Sequence, residues 1–269
     1  MKLYCDGAAY HLKIYKRDPD KPNLLLLHGF MGSSKGFEYL ISNLKPICNP
    51  ITIDLLGHGE SEAVTKPKRY RASSQVGDLK SILSRLRLSN LWLYGYSMGG
   101  RLAQNLFLNS LDQFSGLILE STHCGIDDPE ERQNRQAIDE QRAKEIENDF
   151  DSFVDRWTSL PLFKSPVKDK TVDYKSIIKK QSPGAMAASL RGFGAGSAPF
   201  LCDQMQKVSK PIGLIAGESD EKYVDKMREM HHLFPESQLC LATDAGHRVH
   251  VDQPKQIATF LTNFFETYG

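Results

Sequence analysis

Short apolar runs of about five residues recur along this chain, alternating with longer segments whose apolar residues return at helical spacing. The runs lie at residues 23–28, 50–54, 91–96, 116–120, 211–216 and 238–242. Between them, residues 37–44, 73–88, 99–108, 223–233 and 254–268 read as helices, as with Val76, Leu79, Ile82, Leu83 and Leu86. A run that is apolar throughout suits a strand buried on both faces, which is the habit of parallel sheets. Parallel neighbours need a crossover, and the intervening helices supply it. The spacing therefore predicts an α/β fold: a mostly parallel central sheet with helices on both faces. Residues 1–16 read as a β-hairpin turning at Asp6-Gly7, with Tyr10, Leu12 and Ile14 on one face, and not as a secretory signal.

The rhythm breaks at Asp127. From Pro129 to about Leu201 the chain is helix-like and polar with no strand signal, so we read an α-helical cap inserted into the core. The expected organisation is core over 1–127, cap over 128–205 and core again over 206–269. With 40% hydrophobic and 25% charged residues, the chain has enough apolar material for a sizeable core. Thirty-four Lys and Arg against 33 Asp and Glu leave a net charge of +1, so no global field points to nucleic acid or an anionic membrane. The longest apolar run, Leu24–Leu27, is far short of the ~20 residues that span a bilayer. The five cysteines (Cys5, Cys48, Cys124, Cys202 and Cys240) are scattered and odd in number, with no C-x-x-C pair. That argues against a disulfide framework or a zinc site and fits a cytoplasmic chain.

Gly95-Tyr96-Ser97-Met98-Gly99 is a G-x-S-x-G sequence between an expected strand and an expected helix, the context of a nucleophile elbow. Ser97 would sit in a strained turn, and the Met98 N–H at the helix start would face developing negative charge. Taken alone, the pentapeptide also fits a glycine-rich turn with an incidental serine. A serine nucleophile needs a base, and the base an orienting carboxylate. Asp220, after the strand at 211–216, and His247, after the strand at 238–242, stand in the order such folds use, with Glu218 and His250 as rivals. His28-Gly29-Phe30-Met31-Gly32 ends an early strand, and the Phe30 N–H would be a second oxyanion donor. His28 and His58 read as turn-organising residues. The whole set resembles the α/β-hydrolase superfamily over nearly the full chain.

Arg101 falls one helical turn after Ser97, which puts both on one helix face. A cation there makes an anion site of the nucleophile pocket, unless an acidic neighbour pairs with it. In the cap, Arg135 stands four residues from both Glu131 and Asp139, so surface ion pairing is its default reading. Arg191 precedes a glycine-rich stretch of the kind found near ligands, and Phe150, Phe153 and Trp157 form one helical stripe, which reads first as packing.

These pieces together resemble the 2-succinyl-6-hydroxy-2,4-cyclohexadiene-1-carboxylate synthases of menaquinone biosynthesis. The matching segments are His28 to Gly32, Gly95 to Arg101, Glu130-Glu131-Arg132 to Arg135, Phe153 to Trp157 with Pro161 and Phe163, Ser189 to Gly192, Gly217 to Asp220, and Gly246-His247 to Pro254. The resemblance implies a lyase that needs no cofactor or metal. It would abstract a ring proton from 2-succinyl-5-enolpyruvyl-6-hydroxy-3-cyclohexene-1-carboxylate and expel pyruvate in a 2,5-elimination. It further implies Ser97, His247 and Asp220 as the catalytic unit, with Tyr96, Arg101, Arg135, Trp157 and Arg191 on the substrate. The expected partner is a small polyanion, met by a monomer. One departure stands out: the family runs Pro-Gly-Leu after the sixth strand, where this chain has Cys124-Gly125-Ile126, and Cys124 reads as a bystander. The competing functions are a serine hydrolase of a small ester or carbon–carbon bond substrate, and a non-catalytic ligand receptor on the same fold.

Overall fold

The computed structural model describes residues 1–15, 17–167 and 172–269. Lys16, the last residue of the expected hairpin, and residues 168–171 of the expected cap lie outside the described residues. Eight strands form one sheet: β1 (Lys2–Cys5), β2 (Ala8–Ile14), β3 (Asn23–Leu27), β4 (Asn49–Ile53), β5 (Leu91–Tyr96), β6 (Gly116–Glu120), β7 (Ile212–Gly217) and β8 (Ser237–Ala242). Their order is β1-β2-β4-β3-β5-β6-β7-β8. The first hairpin is antiparallel, β2 joins β4 antiparallel, and every later pairing is parallel. The helices in chain order are α1 (Glu38–Leu44), α2 (Ala72–Leu86), α3 (Met98–Leu108), α4 (Pro129–Asn148), α5 (Phe150–Thr158), α6 (Tyr174–Lys179), α7 (Pro183–Phe193), α8 (Cys202–Met205), α9 (Glu221–Leu233), α10 (Val249–Asp252) and α11 (Pro254–Tyr268).

Alternation along the buried strands sorts their side chains between two cores. Leu25 and Leu27 of β3, Leu93 of β5 and Leu119 of β6 join one core with α2, α3 and α9. Leu24, Leu26, Trp92, Tyr94 and Ile118 join the other with α1 and α11. The chain winds outward from β3 in both directions, toward β4 on one side and β5 on the other. Such a switch point opens a crevice at the strands' carboxyl ends, where open α/β sheets bind ligands.

Among the described residues, helices alone fill the chain between β6 and β7. They have a core of their own, formed by Ala143, Ile146, Phe153, Val154, Ile178 and Met186, onto which Met31 from the β3 loop also packs. α4 starts under an Asp128 side chain that accepts the Glu131 N–H at 2.7 Å, with Pro129 in the first turn. Asp139, Ala143 and Ile146 are its buried residues, a single narrow stripe on an otherwise polar helix.

The cysteines correct the sequence expectation. Cys124, in the loop after β6, forms a disulfide with Cys202 at the start of α8, with Cα atoms 5.1 Å apart. The Leu201 N–H also donates to the Cys124 carbonyl at 2.7 Å. The chain entering the helical insertion and the chain leaving it therefore run side by side. The two cysteines are 78 residues apart in sequence, and local spacing carries no trace of that meeting. Cys5 and Cys48 are buried thiols and Cys240 a half-buried one. No helix among the described residues is long and apolar enough to cross a membrane.

Candidate active site

Ser97 ends β5 and precedes α3 with φ 52° and ψ −113°. A non-glycine residue at positive φ carries strain of ~1–3 kcal/mol, which the surroundings must hold in place. The Ser97 N–H donates to the Glu120 carbonyl at 2.9 Å, and the Thr122 hydroxyl donates to the Ser97 carbonyl at 2.7 Å. Two glycines permit the turn. A Cβ on Gly95 would meet the Gly100 Cα at 2.6 Å, and one on Gly99 would collide with the Leu27 and His28 carbonyls at the end of β3. Bare backbone thus lets α3 start hard against β3 and leaves the serine hydroxyl half-buried at a cavity of about 280 Å³.

His247 follows β8 and faces this hydroxyl, its Nε2 3.3 Å from Ser97 Oγ and its Nδ1 2.7 Å from Asp220 Oδ2. The carboxylate fixes the proton on Nδ1, so Nε2 presents a lone pair to the hydroxyl, the geometry of a serine, its base and the base's orienter. The rivals go elsewhere. Glu218 is exposed, and His250 is bound through Nδ1 to Glu120 at 2.8 Å. Phe30 and Met98, the expected oxyanion donors, bracket the site. Neither N–H has an acceptor among the described residues, and a Cβ on neighbouring Gly29 would lie 3.5 Å from Ser97 Cβ. His28 and His58 hold turns: His28 accepts the Leu55 N–H at 3.0 Å, and His58 Nδ1 meets the Leu56 carbonyl at 2.8 Å.

Burial lowers the His247 pKa below the ordinary imidazole value of 6.5, opposed by the Asp220 and Glu120 carboxylates and reinforced by the Arg248 cation. The rings of Tyr96, Tyr223 and Phe163 pack around it without formal charge. A base must be unprotonated to act, so a lowered pKa extends activity toward acid. kcat/KM should stay level as pH falls through 6.5 and decline only below it. A kcat/KM profile whose acid limb centres above that value would contradict the assignment.

Arg101 is 8% exposed, and its Nε has no hydrogen-bond partner. No ion pair engages it among the described residues: Asp139, the carboxylate that acts on it from a distance, is paired with Arg135. Its Cζ lies over the Phe193 ring at 5.8 Å, and burial lowers its pKa to about 10, which leaves it charged at neutral pH. Arg135 lines the same cavity while its Nε donates to Asp139 at 3.0 Å, and Glu131 takes no part. Trp157 does both things the stripe allowed: it stacks on Phe153 at 5.7 Å and also lines the cavity. Tyr96 directly precedes Ser97, and its ring lies against the Gly29 backbone.

Arg191 is the expectation that the structure corrects. Its guanidinium donates to Glu140 at 2.9 and 3.1 Å and to Glu147 at 2.9 Å, and it does not line the cavity. Two carboxylates on α4 capture it because α7 packs along that helix and brings them within reach. Conversely, Arg142, Tyr174, Tyr223 and Arg248 line the cavity without having been singled out from the sequence. Arg142 stands seven residues after Arg135 on one helix face, and Arg248 adjoins His247, so both had a local signal. No group of three or more His, Cys, Asp or Glu among the described residues could hold a metal ion.

Residues 22–254 match the alpha/beta hydrolase fold family. The chain is 37% identical to a Bacillus subtilis (strain 168) protein named "Putative 2-succinyl-6-hydroxy-2,4-cyclohexadiene-1-carboxylate synthase", covering 96% of this chain and 95% of that protein. It is 28% identical to the 2-succinyl-6-hydroxy-2,4-cyclohexadiene-1-carboxylate synthase of Serratia proteamaculans (strain 568), covering 94% and 96%. The solved structure of MenH from S. aureus superposes with a TM-score of 0.89 at 32% identity over 96% of this chain and 98% of that one. With its fold, its elbow and these relatives in agreement, the chain belongs to the α/β-hydrolase fold family and, within it, to the family of 2-succinyl-6-hydroxy-2,4-cyclohexadiene-1-carboxylate synthases.

Proposed function

We propose that this protein is a carbon–oxygen lyase acting on 2-succinyl-5-enolpyruvyl-6-hydroxy-3-cyclohexene-1-carboxylate. It releases pyruvate and leaves 2-succinyl-6-hydroxy-2,4-cyclohexadiene-1-carboxylate for menaquinone biosynthesis. The observation that carries this reading is Arg101, a buried guanidinium without a carboxylate partner one turn from a serine that is hydrogen-bonded to a histidine. Leaving a charge unpaired in a protein interior is costly, and a substrate carboxylate resolves the cost.

As His247, oriented by Asp220, takes the Ser97 hydroxyl proton on Nε2, Ser97 Oγ takes the ring proton next to the succinyl carbonyl; the imidazolium later returns its proton. The electron pair left on carbon spreads to the carbonyl oxygen, where the Phe30 and Met98 N–H groups face the growing charge. The ring double bond shifts, the carbon–oxygen bond at position 5 breaks, and the departing enolpyruvate takes up a proton to become pyruvate. No acyl-enzyme forms. Arg101 and Arg135 hold carboxylates, and planar, permanently charged guanidinium groups suit that task. A monomer with a small polyanion as its partner, and neither nucleic acid nor membrane, belongs to the same reading; the net charge of +1 supports the exclusion of nucleic acid and membrane.

The test offers the enzyme both the cyclohexene substrate and a neutral nitrophenyl ester. The lyase releases pyruvate from the first, with capture weakened by salt that screens the arginines. It turns over the second poorly, because nothing in a neutral ester engages those cations. Fast nitrophenol release with an acyl-enzyme burst, and no pyruvate, would make the protein a serine hydrolase instead.

A further inference from the structure

A second buried cation flanks the reacting groups. Arg248 directly follows His247, is 9% exposed and lines the catalytic cavity. Like Arg101, it has no ion pair and no side-chain hydrogen bond among the described residues. Two aromatic rings hold it instead: its Cζ lies over the Phe163 ring at 4.2 Å and over the Tyr174 ring at 3.9 Å. Aromatic faces attract the cation but leave its N–H donors, which project in the guanidinium plane, without acceptors.

The clamp is itself anchored. The Tyr174 hydroxyl bonds to His250 Nε2 at 2.6 Å, and His250 Nδ1 lies 2.8 Å from Glu120. Glu120, fully buried at the end of β6, also accepts the Tyr94 hydroxyl and the His250 N–H. The carboxylate keeps the His250 proton on Nδ1, so Nε2 accepts from the phenol and the Tyr174 ring is pinned. A run of buried hydrogen bonds from the sheet thus ends by fixing the ring on which Arg248 rests. Phe163, Tyr174 and Arg248 also border a shallower surface depression with Val251 and Asp173, so the clamp stands at the edge of the cavity.

We propose that Arg248 binds a further substrate carboxylate, beside those assigned to Arg101 and Arg135, so that the reacting centre is held between Arg101 on the elbow side and Arg248 on the base side. The inference rests on the polyanionic substrate proposed above. It makes the site favour a ligand with separated carboxylates, because Arg248 has no ion pair of its own among the described residues and gains one from such a ligand. Bidentate pairing of planar groups provides the geometric discrimination.

The test measures pyruvate release by the wild type, Arg248→Met and Arg248→Lys, with inhibition by succinate and by butyrate as two-anion and one-anion probes. Methionine keeps a long apolar stem against Phe163 and Tyr174 and removes the charge. Arg248→Met should raise KM about 10- to 100-fold with kcat changed less than about threefold, as loss of a charge-assisted contact predicts. It should also reduce the preference for succinate over butyrate, and lysine should restore part of both. A merely structural arginine would lower kcat and stability while leaving the succinate preference intact. That result, or a wild-type KM in Arg248→Met, overturns the proposal. If the wild type releases no pyruvate at all, the lyase reading fails by itself, and the two inhibitors, followed by calorimetry, still decide whether Arg248 recognises a second carboxylate.

Discussion

Replacing Ser97 with alanine should remove nearly all activity, on the order of 10⁴-fold or more in kcat, and adding His247→Ala should cost little beyond that. The reason is the shared proton. His247 Nε2, 3.3 Å from Ser97 Oγ, acts only through that hydroxyl, and Asp220, 2.7 Å from Nδ1, acts only through the imidazole. Once one member is gone the others have nothing to relay, so losses within the unit do not multiply. Residual activity would reflect binding and the Phe30 and Met98 N–H groups alone. Folding should survive, because alanine fits the space, although the strained φ of 52° remains. Steady-state kinetics of the two single variants and the double variant decide the matter. Losses that multiply across the pair would show two independent contributions and refute a common relay.

Arg101→Ala should leave the protein folded and lower kcat/KM by on the order of 10²-fold or more, equivalent to about 3 kcal/mol of lost transition-state stabilisation. A buried guanidinium that makes no ion pair among the described residues contributes little to stability through charge, so the main loss falls on substrate. Arg101→Lys should recover part of the activity, since an ammonium restores charge without the planar fork. Thermal denaturation of each variant separates the two roles. A large fall in Tm with kcat/KM unchanged would mark Arg101 as structural, and equal activity in all three proteins would sink the idea that it binds substrate.

Much of the architecture was legible in the chain because its signals are local. β5 and β6 are wholly buried apolar runs flanked by turn residues, and their observed bounds coincide with the expected 91–96 and 116–120. α11 likewise begins at Pro254, which suits a first helical turn, and ends at Tyr268. The expected strand at 238–242 begins one residue earlier, at Ser237, and the expected helix at 99–108 begins at Met98. Helix and strand ends depend on capping and register more than on periodicity, so shifts of this size are ordinary. The elbow was legible for a covalent reason: Ser97, Gly95 and Gly99 are fixed in sequence, and the strand and helix around them announce themselves.

Charge pairing was another matter. The i, i+4 rule correctly offered Asp139 to Arg135, but it had no means of finding Glu140 and Glu147 for Arg191, which lie 51 and 44 residues away. Arg191 was therefore placed on the substrate by resemblance, whereas the packing of α7 on α4 commits it to two carboxylates. Arg248 was passed over because adjacency to His247, its one local signal, does not show whether an arginine is paired or free until the rings of Phe163 and Tyr174 are seen against it.

From sequence alone came the alternation of strand and helix, the helical break after Asp127, the elbow, and the chain order of Ser97, Asp220 and His247. Each depends on spacing of a few residues or on order along the chain, quantities that a sequence states directly. Tertiary structure alone decided which buried cations remain without a counterion and which cysteines meet, as Cys124 and Cys202 do across 78 residues. Those outcomes turn on distances of a few ångströms between remote segments. Electrostatic pairing and disulfide geometry are sensitive at that scale, and hydrophobic periodicity is not.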